Sequence, residues 1–198
     1  MFDKLASYLT SKAGLTSEEL RAVENAVVPR KIRKRQYLLQ GGDVSRYNAF
    51  VAKGCLRLYQ VSKDGTEHIM KFAIEDWWIS DYESYNSGLP SRFHIDALED
   101  SELLMIEKEK LNALLDAIPK LKRLIEQLDA KNFEVTQTRI LSNISQTAEE
   151  KYESFVKACP KIYNRVPLHM IASFLGLSRE TLSRVRQQHA RKSQILSR

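Results

Sequence analysis

Residues 171–188 read IASFLGLSRETLSRVRQQ, in which an apolar stretch and a glycine precede a serine and several arginines. An arginine can form two hydrogen bonds with O6 and N7 of guanine, and a glutamate can accept one from N4 of cytosine. Serine and threonine hydroxyls and the free amides at a helix start bind phosphate. These residue types favour recognition of a polyanion over catalysis, provided that the segment folds into a suitable shape.

The spacing within this segment predicts two helices joined by a tight turn. Ala172 is small enough for a second helix to cross closely, and Gly176 stands where the chain must turn. Ser178 is a good N-cap, and the apolar Leu182 and Val185 point back to the first helix. This spacing is typical of a helix-turn-helix unit, although an ordinary helical hairpin is the alternative. The residues left facing outward are Arg179, Glu180, Ser183, Arg184 and Gln187.

The charge distribution separates the end of the chain from the rest. The 198 residues carry a net charge of +6, and residues 161–198 hold eight basic residues and one acid. Residues 1–160 hold 23 basic and 24 acidic residues and are close to neutral. A basic end on a near-neutral body favours contact with a polyanion, and a solubilising tail is the alternative.

The middle of the chain has the pattern of short strands. GCLRLYQVS and HIMKFAI alternate apolar and polar residues, and KDGTE between them is a turn sequence. SRFHIDALEDSELLMIE contains two further strand candidates. Strands at this spacing predict an antiparallel barrel or sandwich. The neighbouring Trp77 and Trp78 either pack in it or line a pocket.

A long helix is predicted after Pro119, because the next 26 residues contain neither glycine nor proline. Helical spacing relates the apolar residues Leu121, Leu124, Leu128 and Val135, and further apolar residues lie on other faces of the helix. Such a helix is either shared between two subunits or threaded through the core of one chain. Pro160 ends the next helix, and KIYNRVP is the predicted hinge into the C-terminal unit.

Several classes of protein are excluded by what the sequence lacks. Cys55 and Cys159 lie far apart, and the four histidines form no HxH or HExxH motif, so no metal site is predicted. No apolar run approaches the roughly 20 residues of a membrane span, and the first residues do not read as a signal peptide. No spaced acid–base pair supports an enzyme. The sequence therefore predicts a cytoplasmic, non-enzymatic protein.

The segment GLSRETLSRV resembles the recognition helix of the cyclic-AMP receptor protein and fumarate–nitrate regulator (Crp/Fnr) family of bacterial transcription factors. YLLQGGDVSRYNAFVAKGCLRLYQVSKDGTEHIMKF is similar to that family's effector barrel, and the helix after Pro119 to its dimer helix. The resemblance implies an α+β chain with a cyclic-nucleotide-binding-like antiparallel β-barrel over residues 1–117. A dimerisation helix would span residues 118–145, and a helix-turn-helix DNA-binding domain residues 146–198.

The resemblance also implies roles for individual residues. Arg179, Glu180 and Arg184 would read bases, and Ser178 and Thr181 would contact phosphates, with Ser183 on the same face. The implied partners are a second copy of the chain, double-stranded DNA with two-fold-related half-sites, and RNA polymerase. The family usually has a β-hairpin wing after this helix, but QHARKSQILSR is short and lacks a glycine turn, which predicts that the wing is missing.

The effector site of the family is altered in this chain. Members that bind cyclic nucleotides have a Gly-Glu-Leu step and, ten residues after its glutamate, an Arg-Ser-Ala step. A gap-free match places Ser80 and Asp81 in the first step and Ser91 at the phosphate-binding arginine. Arg92 lies one residue after the position of that arginine. Thr136 matches a position that contacts the nucleotide base in members that bind cyclic AMP. The sequence therefore predicts a degenerate pocket that does not bind cyclic AMP.

The family's redox members hold an iron–sulfur cluster with cysteines near the N-terminus, and this chain has no cysteine before Cys55. We therefore predict no cofactor and leave the effector unidentified. We therefore interpret the chain as a dimeric DNA-binding transcription regulator. The alternative is a cyclic-nucleotide-binding module that signals through protein contacts.

Overall fold

The computed structural model describes residues 1–196, with side chains through residue 190. The strands are β1 (Val27–Ile32), β2 (Tyr37–Leu39), β3 (Tyr47–Lys53), β4 (Leu56–Val61), β5 (Glu67–Ala73), β6 (Trp78–Ile79), β7 (His94–Ala97) and β8 (Ser101–Glu107). The helices are α1 (Phe2–Ala13), α2 (Ser17–Ala26), α3 (Tyr82–Ser87), α4 (Lys108–Ala117), α5 (Pro119–Ser145), α6 (Ala148–Ala158), α7 (Pro160–Tyr163), α8 (Leu168–Leu175) and α9 (Arg179–Leu196). None of these helices has the length and apolar character needed to cross a membrane.

The strands form two four-stranded antiparallel sheets, in the orders β1-β8-β3-β6 and β2-β7-β4-β5. Strands β4 and β5 pair across the predicted KDGTE turn, with Leu56 opposite Ala73. All eight strands contribute to one apolar core between the sheets. Its members include Ile32, Leu39, Val51, Leu56, Ala73, Ile79, Ile95 and Leu103. The α+β class with an N-terminal barrel is thus confirmed.

A buried ion pair joins β4 to β7 within the second sheet. Arg57 and Asp96 are each 6% exposed, and Arg57 donates from Nε to Oδ1 at 2.8 Å and from Nη2 to Oδ2 at 3.0 Å. The same guanidinium donates to Glu67 and lies 4.0 Å from the centroid of the Tyr59 ring. Burial alone would lower the pKa of Arg57, but the hydrogen bonds to both carboxylates outweigh it and raise that pKa.

The long helix α5 begins with Pro119 at its first turn and has two distinct halves. Leu121 and Leu124 are buried in a core shared with α1, α4 and the outer face of β3 and β8. The second half leaves five large apolar side chains 53–78% exposed. They are Phe133, Val135, Ile140, Leu141 and Ile144. The first half therefore belongs to the core of this chain, whereas the second half presents an uncovered apolar surface.

Helices α6 to α9 pack together and against the outer face of β4 and β5. Their apolar side chains form one core with Tyr59, Ile69 and Phe72 of the barrel. Helix α6 starts with a capping box, in which Thr147 and Glu150 satisfy each other's backbone amides. The C-terminal unit is thus seated directly on the barrel.

Candidate nucleic-acid interface and effector site

The turn between α8 and α9 has the geometry that the sequence predicts. Gly176 ends α8 with a φ of +67°, and its amide donates to the carbonyls of Ala172 and Ser173. The amide of Leu177 donates to the Ala172 carbonyl at 2.9 Å. A Cβ at Gly176 would meet only Asn143, at 3.6 Å, which is an ordinary contact. The left-handed backbone conformation, and not a lack of space, therefore favours glycine here.

Ser178 caps the start of α9. Its hydroxyl accepts from the amide of Thr181 at 3.1 Å and donates to the Thr181 hydroxyl at 3.0 Å. The carbonyl of Ser178 accepts from the amide of Leu182 at 3.0 Å, which starts the helical ladder. The amides of Arg179 and Glu180 lie in the first turn, where no carbonyl within the helix can accept from them. This end of α9 therefore suits an anion such as a DNA phosphate.

The buried face of α9 determines which of its side chains meet solvent. Leu182 is fully buried and Val185 is 6% exposed, both in the core that α8 also joins. Arg179, Glu180 and Arg184 are exposed on the other side. Thr181 and Ser183 are half-buried at the border between the two faces.

The exposed cations of α9 are available to a ligand. Arg184 makes a 3.5 Å hydrogen bond from Nη2 to the Thr181 hydroxyl. Among the described side chains, neither Arg179 nor Arg184 forms an ion pair. Arg186 differs, because its guanidinium lies 5.7 Å from the centroid of the Tyr163 ring at the end of α7. Arg179 and Arg184 are thus the cations that the fold presents at the start of α9.

The residues after this segment continue α9 as far as Leu196, so no β-hairpin follows within the described residues. The side chains of Arg191 and Lys192, which contribute to the basic end of the sequence, lie outside the described residues.

Helix α8 docks on the exposed edge of β5. The Ser173 hydroxyl donates to the Glu67 carbonyl at 2.8 Å and accepts from the amide of Ile69 at 3.0 Å. Beside it, the Phe174 and Phe72 rings lie 5.4 Å apart between centroids. The Ser173 hydroxyl therefore bonds backbone groups at the edge of β5, as a neighbouring strand would. The sequence did not predict this contact.

Arg165, in the loop before α8, makes a second link to the barrel. It donates to both oxygens of Glu75 at 2.7 and 3.1 Å and to both oxygens of Glu99 at 2.9 and 2.7 Å. Burial raises the pKa of Glu75, but hydrogen bonds from Arg165 and the Gly54 amide prevail and lower it to about 2. The lowered pKa of Glu75 stabilises the folded state in full above the ordinary value of 4.5. This stabilisation is lost as the pH falls from 4.5 toward 2.

The predicted effector residues Asp81 and Ser91 contact each other in the barrel. The Ser91 hydroxyl donates to Oδ2 of Asp81 at 2.6 Å, and the two residues are 5% and 4% exposed respectively. Oδ1 of Asp81 accepts from the amide of Glu83 at 3.1 Å and so caps the short helix α3. Both side chains are therefore occupied by bonds within the protein.

The other predicted effector residues do not converge on this pair. Arg92 is turned to solvent, where Nη2 donates to Glu83 at 2.7 Å and the side chain is 63% exposed. Thr136 is exposed on α5 and donates to the Asn132 carbonyl at 2.8 Å, and Ser80 is half-buried. The adjacent cavity of about 180 Å³ is lined by Asp81, Glu83, Ser84, Ser87, Leu89, Pro90 and Arg92. It is smaller than the roughly 300–1,000 Å³ of typical ligand pockets.

The fit of a cyclic phosphate to this site is poor. The buried carboxylate of Asp81 would repel the phosphate, and the one nearby guanidinium is bound to Glu83 at the surface. Trp78 packs in the core with its ring 5.3 Å from that of Phe50, and Trp77 is 40% exposed. The residues present do not fit a cyclic nucleotide.

The cysteines do not fit an iron–sulfur cluster either. Such clusters are usually held by four cysteine thiolates, and the sequence has two cysteines. Burial raises the pKa of Cys55 to about 12 and also raises that of Cys159, which disfavours the thiolate form.

Comparison with known proteins agrees with this architecture. Residues 29–117 match the family model of the cyclic nucleotide-binding domain. The chain is 27% identical over 183 residues to the anaerobic regulatory protein of Pasteurella multocida, covering 86% of this chain and 66% of that protein. It is 26% identical over 183 residues to the fumarate and nitrate reduction regulatory protein of Salmonella typhi, covering 86% of this chain and 72% of that protein.

A solved structure shares the fold. The chain is similar to FixK2 from Bradyrhizobium japonicum with a TM-score of 0.71 at 19% identity, over 84% of this chain and 86% of that chain. The likeness extends through both the barrel and the helical unit that follows it.

Proposed function

The chain belongs to the Crp/Fnr family of transcription regulators, and on that premise we propose that it binds operator DNA as a homodimer, with α9 as the recognition helix. The observation that carries the proposal is the division of α9 into two faces. Leu182 and Val185 anchor the helix, while Arg179, Glu180 and Arg184 are exposed at its start. A helix presented in this way can enter the major groove with its first residues against base edges.

The proposed roles follow from the chemistry of each side chain. Arg179 and Arg184 suit guanine, and Glu180 suits the amino group of cytosine. Thr181 and the first-turn amides behind Ser178 suit phosphate, and Ser183 borders the same surface. The hydroxyl of Ser178 itself is already used as the helix cap.

We further propose that α5 pairs with α5 of a second copy. The exposed apolar side chains of its second half support this arrangement, because water-exposed apolar patches of this kind mark association surfaces. A two-fold dimer would place two copies of α9 on half-sites about one helical turn apart. The corresponding division is residues 1–117 for the barrel, 118–145 for the dimer helix and 146–198 for the DNA-binding domain. RNA polymerase, in the cytoplasm, is the proposed downstream partner.

The proposal as a whole is tested by selecting bound sequences from a random pool of duplex DNA. We expect enrichment of a two-fold-related sequence with half-sites about 10 base pairs apart. Enrichment of no sequence at any salt concentration would contradict the proposal.

Arg184→Ala is expected to weaken specific binding by about 1–3 kcal/mol, which is the contribution of a bidentate base contact. Sequence preference should relax at one position in each half-site, as measured by repeating the selection with the variant. Lys157→Ala is the matched control, because Lys157 is an exposed cation of α6 in the same unit. If Arg184→Ala weakened binding to every sequence equally, Arg184 would be a phosphate contact instead.

We also expect no binding of cyclic AMP or cyclic GMP in calorimetric titrations at millimolar ligand. A buried phosphate without a cationic partner costs several kcal/mol, and Ser91 offers one neutral hydrogen bond where family members that bind cyclic nucleotides have an arginine. Asp81 adds a buried carboxylate. Micromolar binding that Arg92→Ala abolishes would contradict this prediction and would make the barrel a nucleotide sensor.

A further inference from the structure

Arg139 lies where three parts of the molecule meet. It is half-buried on the second half of α5, and its Nη1 donates to the Met70 carbonyl of β5 at 2.6 Å. Its guanidinium lies 5.0 Å from the centroid of the Phe174 ring of α8. One side chain therefore connects the long helix with both the barrel and the first helix of the helix-turn-helix unit.

This cation has no acidic partner. Arg57 and Arg165 each bond to two carboxylates, whereas Arg139 forms no ion pair with any described side chain. Burial accordingly lowers the pKa of Arg139. Removing a cation from water without an acid to pair with it is unfavourable, so a salt bridge does not explain its placement. Its partners are instead a carbonyl on an edge strand and the face of an aromatic ring.

The second half of α5 makes few other bonds to its surroundings. Among the described residues 131–145, Arg139 is the one whose side chain hydrogen-bonds beyond α5 and the adjoining Gln146. One helical turn further on, Asn143 lies beside the turn between α8 and α9, where its Oδ1 would be 3.6 Å from a Cβ at Gly176. Residues four apart share a face of a helix, so this face of α5 meets the helix-turn-helix unit.

The face that carries Arg139 has a fixed relation to the apolar face of α5. Ile140 and Ile144 directly follow Arg139 and Asn143 in the sequence, and an α-helix turns by about 100° for each residue. The contact with α8 is therefore about 100° around α5 from the surface that is proposed to pair with a second copy. In a two-fold dimer, this angle in both subunits determines the separation and the orientation of the two copies of α9.

We propose that Arg139 is a positioning residue that sets the spacing of the half-sites which the dimer accepts. This inference rests on the proposed function and adds what determines the geometry of the operator. The guanidinium holds β5 and α8 against α5, and the core that α8 shares with Leu182 and Val185 carries this constraint to α9. Arg139 thereby acts on DNA binding through α8, without a contact to DNA.

The test measures binding to a series of operators that differ only in the separation of their half-sites. The spacer of the selected operator is lengthened or shortened by one and by two base pairs. Each base pair shifts a half-site by about 3.4 Å and turns it by about 35°. We expect the native chain to bind the duplexes changed by one base pair about 10-fold more weakly, because linkage is lost where the geometry prevents simultaneous contact. Fluorescence anisotropy measures each affinity.

The variant R139M keeps an apolar chain beside Phe174 but cannot donate to the Met70 carbonyl. It should reduce the difference between these spacings to less than about 3-fold, and it should bind a single half-site as the native chain does. The control K131M also removes a cation from α5. Lys131 is exposed and pairs with Glu134 of the same helix, so K131M should retain the native preference for one spacing.

Light scattering and circular dichroism accompany each titration. R139M should remain dimeric, because Ile140 and Ile144 are unchanged, and its affinity for a single half-site reports whether α9 is folded. A native spacing preference in R139M would overturn the inference, as would an equal loss on every duplex including the single half-site. A native chain that bound the operator without preferring a spacing would overturn it and leave the proposed function intact. If the native chain bound no duplex, the proposed function itself would have failed.

Discussion

Asp96→Ala is expected to lower the free energy of unfolding by about 3 kcal/mol, near the lower end of the 3–5 kcal/mol that follows from breaking a buried ion pair. The substitution leaves the Arg57 guanidinium, which is 6% exposed, without its buried partner. Glu67 remains bonded to it from a more exposed position, and this places the expected loss at the lower end. Urea unfolding followed by circular dichroism, at fixed protein concentration, measures the change.

Two further variants isolate the cause. Glu83→Ala also removes a carboxylate from an arginine, but the Glu83–Arg92 pair is exposed and should contribute less than about 1 kcal/mol. The double variant R57M/D96L replaces the buried pair with apolar groups and should recover most of the lost stability. A loss below 1 kcal/mol for Asp96→Ala would mean that Glu67 and Tyr59 satisfy Arg57 without Asp96.

The parts of the fold that depend on neighbouring residues could be predicted from the sequence. The helix-turn-helix unit follows from Gly176, from the cap at Ser178 and from the spacing of Leu182 and Val185, all within ten residues. The capping box of α2 is equally local, because Thr16 and Glu19 bond to each other's amides. Local backbone preferences and helical periodicity are sufficient for such features.

Contacts between distant segments could not be predicted in this way. Arg165 meets Glu75 and Glu99, which are 90 and 66 residues away, and nothing in the local sequence distinguishes these acids from others. The bond between Ser91 and Asp81 was likewise not evident, although Asp81 followed by Gly88 has the pattern of the start and end of a short helix. Tertiary packing decides such pairs.

The two links of α8 and its preceding loop to the barrel affect how an effector could act. Ser173 bonds the edge of β5, and Arg165 bonds acids in two barrel turns, so α9 is connected to the barrel through its neighbour α8. A change in barrel shape would reach α9 through β5 and these turns. The occupied Asp81–Ser91 pair lies in a different loop and takes no part in these links.

The double variant I140E/I144E is expected to be monomeric and to bind the full operator about 100- to 10,000-fold more weakly. Since a helix advances about 100° per residue, Phe133, Ile140 and Ile144 lie on one face of α5 within an arc of about 40°. Ile140 is 53% and Ile144 78% exposed in the single chain, so both are open to contact with a partner. Linked half-site contacts typically gain a factor of 10²–10⁴, which the monomer would lose.

Light scattering gives the oligomeric state, and anisotropy with a full operator and with a single half-site gives the loss of linkage. The control S7E/S11E adds the same two charges to exposed positions of α1, away from the apolar surface of α5, and it should remain dimeric. The monomeric variant should bind a single half-site as the native recognition helix does, because α9 is unchanged. A variant that stayed dimeric would show that the subunits pair elsewhere, since two carboxylates cannot be buried in an apolar seam without a large cost.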